Sequence, residues 1–322
     1  MAIGTEAELA NQCTGIRGNI MVEGKPLVTV IISCYNHALY VEEAIKSVLA
    51  QDYPRLELLV IDDGSSDDSV AHIRPLAETH GFDFRTQSNQ GITKTYNDAL
   101  ARARGSLIVF LGSDDVMLPG CITAQVAYLA EHPGTGIVGG NSEFIDSNGD
   151  PLPDARQNQR GVGAQCLCFD DIFIPRKSLV PQIATQMFRK SVLDEVGGFN
   201  PDIRLEDLYI QFKITRAGYT IDRMPMLLAR YRIHPSNTYK NPRLMAESFL
   251  ATYADYADHP DYERIRARLI NSWFLKAVDR DRAFARELLA QLPMQHWNLK
   301  TLRGLLKYAR QSLPRILRVA AH

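Results

Sequence analysis

Cysteine is scarce and poorly placed for bridging. The five residues (Cys13, Cys34, Cys121, Cys166 and Cys168) are odd in number and scattered, which excludes a disulfide framework and fits a reducing compartment. Cys166-Leu-Cys168 has no second Cys or His pair at a matching spacing, so no closed zinc site is expected. No apolar run approaches the roughly 20 residues that span a bilayer, and residues 1–20 lack the basic-then-apolar order of a secretory leader. A cytoplasmic location is therefore expected. The formal net charge is only −1, which argues against bulk attraction to nucleic acid. No Gly-x-Gly-x-x-Gly follows the first apolar run, so a dinucleotide fingerprint is missing. Acid disappears locally as well. Beyond Glu287 there is no Asp or Glu, while Lys300, Arg303, Lys307, Arg310, Arg315 and Arg318 remain.

What is present centres on Ser106-Leu-Ile-Val-Phe-Leu-Gly-Ser-Asp-Asp-Val-Met-Leu-Pro119. Leu107 to Leu111 is apolar with β-branched members and predicts a strand buried on both faces. Asp114 and Asp115 follow it, and Pro119-Gly120 opens a helix. Two similar runs lie upstream, Leu27 to Ile32 and Leu56 to Ile61. Helical spacing follows each, with Val41, Ala44, Ile45, Val48 and Leu49 on one stripe of the first helix and a second helix over about Ser69 to His80. A polar strand near Asp83 to Gln87 precedes a helix from Gly91 to Ala103. Strand and helix alternate three times, which predicts βαβ crossovers, a mostly parallel sheet and an α/β fold.

The strand ends carry short polar or acidic groups: Ser33 and Tyr35, then Asp62 and Asp63, then Asp114 and Asp115. Open α/β sheets bind ligands at such ends. Paired carboxylates attract a hard cation, Mg²⁺ or Mn²⁺, although Asp also serves as a plain helix N-cap. Acids would repel a bare phosphate, and a nucleotide with metal-bridged phosphates reconciles the two. Past Ile137 the pattern is mixed, with a hairpin-type turn at Ser147 to Asp150 and a loop-rich stretch over 151–182. A short strand is predicted over Thr185 to Phe188, a short helix over Ser191 to Val196, and a longer helix after Glu206-Asp207. From about Pro242 the chain reads as helical.

Val28-Thr-Val-Ile-Ile-Ser-Cys-Tyr-Asn36, Ile45-Lys-Ser-Val-Leu-Ala-Gln51, Val60-Ile-Asp-Asp-Gly-Ser-Ser-Asp67, Asn89-Gln-Gly91 with Asn97, Leu111-Gly-Ser-Asp-Asp115, Gly197-Gly-Phe199 with Glu206-Asp207, and Tyr231-Arg-Ile-His234 occur in that order. Together they resemble the inverting, GT-A-fold, nucleotide-sugar glycosyltransferases that build polysaccharides and O-antigens. The resemblance covers about residues 26–237. It implies that Asp63 meets the base of the donor nucleotide in a pocket lined by Ser33 and Tyr35. It places Asp114 on the metal that bridges the diphosphate, His234 in the same metal shell, and Asp207 as the catalytic base. The first acid of the family's Asp-x-Asp motif is Gly112 here, so either a ribose contact is lost or Asp115 supplies it.

The expected organisation is an N-terminal extension over 1–24, a GT-A domain over 25–240 and a helical region over 241–322. The expected reaction moves a sugar from a nucleoside diphosphate sugar, most often UDP, to a glycan hydroxyl, with Mn²⁺ or Mg²⁺. A lipid-linked oligosaccharide is the expected acceptor. The basic tail from His296, with Leu299, Leu302, Leu305 and Leu306 at helical spacing, predicts docking on the anionic inner face of the cytoplasmic membrane. That region is also expected to help form the acceptor site. Two alternatives stay open. One is a non-catalytic nucleotide-sugar-binding subunit. The other is a sugar-nucleotide pyrophosphorylase, although Ser33-Cys-Tyr-Asn-His37 lacks the Gly-rich, basic loop of such enzymes.

Overall fold

The computed structural model describes residues 24–152, 162–174, 180–237 and 240–312. Strand β1 (Val28–Cys34) leads to helix α1 (Val41–Leu49), β2 (Leu56–Asp62) to α2 (Ser69–His80), and β3 (Asp83–Thr86) to α3 (Ile92–Arg102), ahead of β4 (Leu107–Gly112). The first apolar runs pair in parallel, with Val30 of β1 opposite Leu58 of β2 on one side and Val109 of β4 on the other. These strands are buried on both faces because helices cover them. Val41, Ala44, Ile45 and Val48 of α1 join Val30, Ile32, Val60, Val109 and Leu111 in one core. Burying each Val, Ile or Leu there is worth ~1.5–3 kcal/mol.

The sheet continues through β5 (Val116–Met117), helix α4 (Cys121–Glu131), β6 (Thr135–Ile145), β7 (Gln165–Leu167), α5 (Phe169–Phe173), β8 (Met187–Arg189), α6 (Lys190–Glu195), α7 (Glu206–Arg216) and β9 (Thr220–Arg232). Its order is β3-β2-β1-β4-β8-β6-β9-β5, and β7 also pairs with β9, along Ile221 to Arg223. β8 runs antiparallel to β4 and β6, while β6 and β9 are parallel. The fold is thus α/β with a mixed, mostly parallel sheet.

One local expectation shifts, and two features were not anticipated. The strand expected over Thr185 to Phe188 starts later, because Thr185 Oγ1 donates to Gln182 O at 2.7 Å and closes a 3₁₀ turn over Ile183–Thr185. Val116 and Met117, between the acids and the helix opened by Pro119-Gly120, form a strand because Arg230 and Ala229 of β9 pair with them. β6 runs unbroken through Gly139 and Gly140. A Cβ on Gly139 would lie 2.5 Å from Pro181 Cβ and one on Gly140 2.6 Å from Leu228 Cδ1, so only glycine admits those neighbours.

The described chain divides into two compact units. One runs up to Asp202 and resumes over Glu206–His234; the other comprises Ile203–Leu205 and the chain from Pro235. The second unit contains α8 (Pro242–Ala254), α9 (Tyr262–Ala277), α10 (Arg282–Ala290) and α11 (Leu299–Ser312). Its core includes Ala246, Ile270, Phe274, Phe284 and Leu288. Asn241 and Asp281 cap their helices by accepting from Leu244 N and Phe284 N at 3.1 and 3.0 Å. Most of the expected N-terminal extension, and Arg315 and Arg318 of the tail, lie outside the described residues.

Candidate active site

The ends of β1, β2 and β4 lie side by side, with Ser33 opposite both Ile61 and Gly112. The turn after β1 is held by the turn after β2. Asn36 adopts a positive φ of 56°, its Oδ1 accepts from Ser66 N at 2.7 Å, and its N–H donates to Ser65 Oγ at 2.9 Å. Asn tolerates this left-handed conformation better than most residues. His37 N and Ala38 N then donate to Ser69 Oγ and Asp67 Oδ2 at 3.1 and 3.0 Å. The result is a fixed platform that leaves Tyr35 half exposed and turns the His37 ring toward β4.

At β4 the two acids part company. Asp114 Oδ2 lies 2.8 Å from His234 Nε2, and Asp114 Oδ1 lies 3.9 Å from His37 Nδ1. The two imidazole rings meet edge to face at a centroid distance of 5.3 Å. One donor atom from each of His37, Asp114 and His234 falls within 4.8 Å of the others. Burial would raise the Asp114 carboxyl, but the His234 hydrogen bond and the two histidines hold it below the usual carboxylate range. Burial lowers His37, Asp114 opposes that, and the net shift is downward, which favours the neutral ring; its Nδ1 lies 2.7 Å from Ser113 Oγ. An ionised carboxylate and a neutral imidazole are the forms that ligate metals. The carboxylate suits Mg²⁺ or Mn²⁺, and two ring nitrogens move the balance toward a first-row transition ion, so Mn²⁺ fits the set better.

Asp115 turns inward. Its Oδ1 accepts from Arg232 N at 2.9 Å, and burial together with the Asp114 charge raises its carboxyl well above the usual range. Both carboxylates approach position 112, where a Cβ would lie 2.8 Å from Asp114 Oδ1 and 2.9 Å from Asp115 Oδ2. Glycine at the first place of the Asp-x-Asp pattern therefore has a local steric counterpart.

Asp63 is held in a different setting. Its carboxylate accepts from Gln87 Nε2, Gln90 N and Gly91 N at 2.8, 3.0 and 2.9 Å, anchoring the loop that enters α3. Asp62 next to it uses Oδ1 for Ser65 N at 2.9 Å and leaves Oδ2 buried without a partner.

Asp207 is the second residue of α7, with its Oδ1 accepting from Leu208 N at 2.6 Å. Burial and the neighbouring Asp207 charge push the Glu206 carboxyl up to about 8, and burial raises Asp207 as well. The segment before α7 is tied to α3. Asn97 Nδ2 donates to Phe199 O at 2.7 Å, Phe199 N donates to Asn97 Oδ1 at 2.9 Å, and the buried Tyr96 ring packs on Phe110 and Phe199. Burial, then the charges of Glu206, Asp114, Asp115 and Asp207, raise the Tyr96 phenol well above its ordinary value. One buried phenol thus feels both acidic pairs, which come from elements nearly a hundred residues apart. His37, Tyr96 and Arg232 were not singled out from the sequence. The available signal for His37 was its place in the polar turn after β1, and for Arg232 its place two residues before His234.

The profile of the family "Glycosyl transferase family 2" matches residues 29–197, more than half of the 322-residue chain. An uncharacterized glycosyltransferase of Nostoc sp. is 30% identical over 234 residues, 66% of this chain and 66% of that protein. The poly-β-1,6-N-acetyl-D-glucosamine synthase of Staphylococcus epidermidis is 26% identical over 208 residues, 64% of this chain and 49% of the synthase. The matches thus span between about half and two-thirds of these curated relatives' length. Among solved structures, the mannosyltransferase PcManGT from Pyrobaculum calidifontis, in complex with GDP-Man and Mn²⁺, superposes with a TM-score of 0.59 at 20% identity, covering 90% of this chain and 89% of that one. S. aureus TarS residues 1–349, in complex with UDP-GlcNAc, gives 0.57 at 17% identity, covering 89% and 82%. At those identities the structural likeness is one of fold. The profile match is one of sequence, and with it the chain belongs to glycosyl transferase family 2.

Proposed function

We propose that the protein is an inverting hexosyltransferase that moves a sugar from a nucleoside diphosphate, UDP in the first instance, to a hydroxyl of a glycan acceptor. The observation that carries this is the cluster at the end of β4, where one donor atom from each of His37, Asp114 and His234 falls within 4.8 Å of the others. Asp207 takes the proton of the acceptor hydroxyl as its oxygen bonds to the anomeric carbon and the bond from that carbon to the diphosphate oxygen breaks. One displacement from the opposite face inverts the configuration. A raised carboxyl is the stronger base, which suits Asp207 to that task.

Asp114, His234 and His37 would hold Mn²⁺ or Mg²⁺, which when bound supplies Lewis-acid stabilisation of the departing diphosphate. Ser33 and Tyr35 line the nucleotide pocket, Asp63 orders the loop against its base, and Asp115 presents Oδ2 beside Gly112. The donors named for the solved relatives, GDP-Man and UDP-GlcNAc, support a nucleoside diphosphate sugar.

The acceptor we propose is a lipid-linked oligosaccharide in surface polysaccharide or O-antigen synthesis, met at the inner face of the cytoplasmic membrane. Among the described residues no helix is long and apolar enough to cross a membrane. Leu299, Leu302 and Leu306 of α11 are nonetheless 72%, 51% and 66% exposed, on a helix that also carries Lys300, Arg303, Lys307 and Arg310. An apolar row flanked by bases suits peripheral attachment to an anionic surface.

The test is thermal stabilisation by UDP, GDP and dTDP with and without Mn²⁺, followed by turnover of the matching nucleotide sugar. A metal-enhanced shift for one nucleotide, lost in Asp114→Ala, supports the site. Asp207→Asn should keep the nucleotide shift and lose about 10²–10⁴-fold in turnover. Wild-type protein that binds donor but never turns it over would point to a non-catalytic binding subunit instead.

A further inference from the structure

Three separate elements supply the metal-ligand cluster: the turn after β1 carries His37, the end of β4 carries Asp114, and the end of β9 leads to His234. Such a cluster works only if the three stay in register, because ligand geometry depends on the groups behind it. We infer that Arg232 is the positioning residue that holds the His37, Asp114 and His234 donors in one frame. The inference rests on the metal-site reading above.

The observation is the set of partners that one side chain collects. Arg232 is only 2% exposed. Its Nε donates to Asp114 O at 2.9 Å, and its backbone N–H donates to Asp115 Oδ1 at 2.9 Å, so both acids of the β4 turn are fixed from behind. One terminal nitrogen, Nη2, reaches Glu43 Oε2 of α1 at 2.5 Å. The other, Nη1, lies 3.2 Å from Asp146 O and 3.5 Å from Ser147 O in the turn after β6. The guanidinium lies over the Tyr40 ring at 4.9 Å, and that ring packs on His234 at 5.1 Å and His37 at 6.0 Å. Every ligand of the cluster is therefore one contact from Arg232, or two by way of Tyr40 or the chain itself.

The residue type fits the task. A planar guanidinium offers five N–H donors in a fixed fork, so it can serve carbonyls and a carboxylate at once while stacking on an aromatic face. Lysine offers three donors on a flexible stem and could meet only part of this set. A buried charge is unfavourable unless it is paired and hydrogen-bonded, and the contacts to Asp114 O, Asp115 Oδ1 and the Tyr40 ring also locate ligand-bearing segments.

The experiment measures Mn²⁺ affinity by electron paramagnetic resonance, following loss of the free Mn²⁺ signal with and without UDP. Wild type, Arg232→Lys, Arg232→Met and Glu43→Gln are compared, with near-UV circular dichroism to confirm native packing. Arg223→Met, at the other fully buried arginine of β9, controls for general loss of packing and should keep wild-type affinity. The expected order is wild type, then Glu43→Gln weaker by a few-fold, then Arg232→Lys, then Arg232→Met weaker by about 10–100-fold. Folded Arg232→Met with wild-type affinity overturns the inference, as does an equal loss in the Arg223 control. If neither Arg232 variant folds, Glu43→Gln decides, and unchanged affinity there overturns it. Wild-type protein that takes up no Mn²⁺ in either condition overturns the metal-site reading itself, a different outcome from uptake unchanged by the variants.

Discussion

At the scale of single residues, the acids in the site differ by their surroundings more than by their identity. Asp114 and Asp115 are adjacent, yet one is held ionised by two histidines and the other is driven toward its protonated form by burial and its neighbour's charge. His37 is the residue with the most to test. Replacing it with Ala should weaken Mn²⁺ binding about 10-fold and reduce the preference for Mn²⁺ over Mg²⁺, because a nitrogen donor is lost and the carboxylate remains. A metal titration in which the variant matches wild type for both ions would remove His37 from the shell.

The acidic pair at the start of α7 sets a pH dependence. Folded Glu206 keeps its proton up to about 8, whereas an unfolded glutamate releases it near 4.3. Between those values the folded state binds more protons, so this group's contribution to stability is full below about 4.3 and falls as pH rises toward 8. Glu206→Gln should therefore raise the melting temperature most at pH 8 and least near pH 5; an unchanged difference across that window would refute the assignment. Turnover should move the other way, with kcat/KM rising through the neutral range as the pair that includes Asp207 deprotonates.

At the scale of elements, α3 connects the sheet to the acids of α7. It does so through the two reciprocal hydrogen bonds between the Asn97 amide and the Phe199 backbone, with Tyr96 filling the space between Phe110 and Phe199. Asn97→Ala leaves the Phe199 N–H and carbonyl without those partners, at about 1–3 kcal/mol for each group left unsatisfied. Denaturant unfolding should show the loss, and kcat should fall with little change in Mn²⁺ affinity, because the β4 end is untouched. Equal loss of Mn²⁺ binding would mean that the two acidic pairs are not independently supported.

At the scale of the whole molecule, the charge imbalance falls within the C-terminal unit. Leu305 and Tyr308 pack on that unit's own core, while Leu299, Leu302 and Leu306 are exposed. Lys307 is drawn to Asp279 at 2.6 Å, which leaves part of the basic face already balanced. Leu302→Glu combined with Leu306→Glu should abolish sedimentation with anionic liposomes and leave the nucleotide-induced thermal shift unchanged. Wild-type binding should weaken as salt rises. Equal sedimentation with neutral vesicles would exclude the basic residues as the cause.

Much of this is legible in the amino-acid sequence. The apolar runs ending at Ile32, Ile61 and Leu111 determined three parallel strands, because a strand covered by helices on both faces needs a continuous apolar run. The same periodicity placed α1 and α3, and Asp114, Asp207 and His234 could be nominated from the order of short motifs. Only the tertiary structure decided which partners each acid meets. Those partners are distant in sequence: Asp114 meets His234, Asp115 meets the Arg232 backbone, and Asp63 is taken up by the loop entering α3. The pairing of Val116 and Met117, the convergence of His37 on Asp114, and the reach of Arg232 across four segments are likewise long-range contacts. Local pattern encodes which face of an element is buried; it does not encode which distant atom that face will touch.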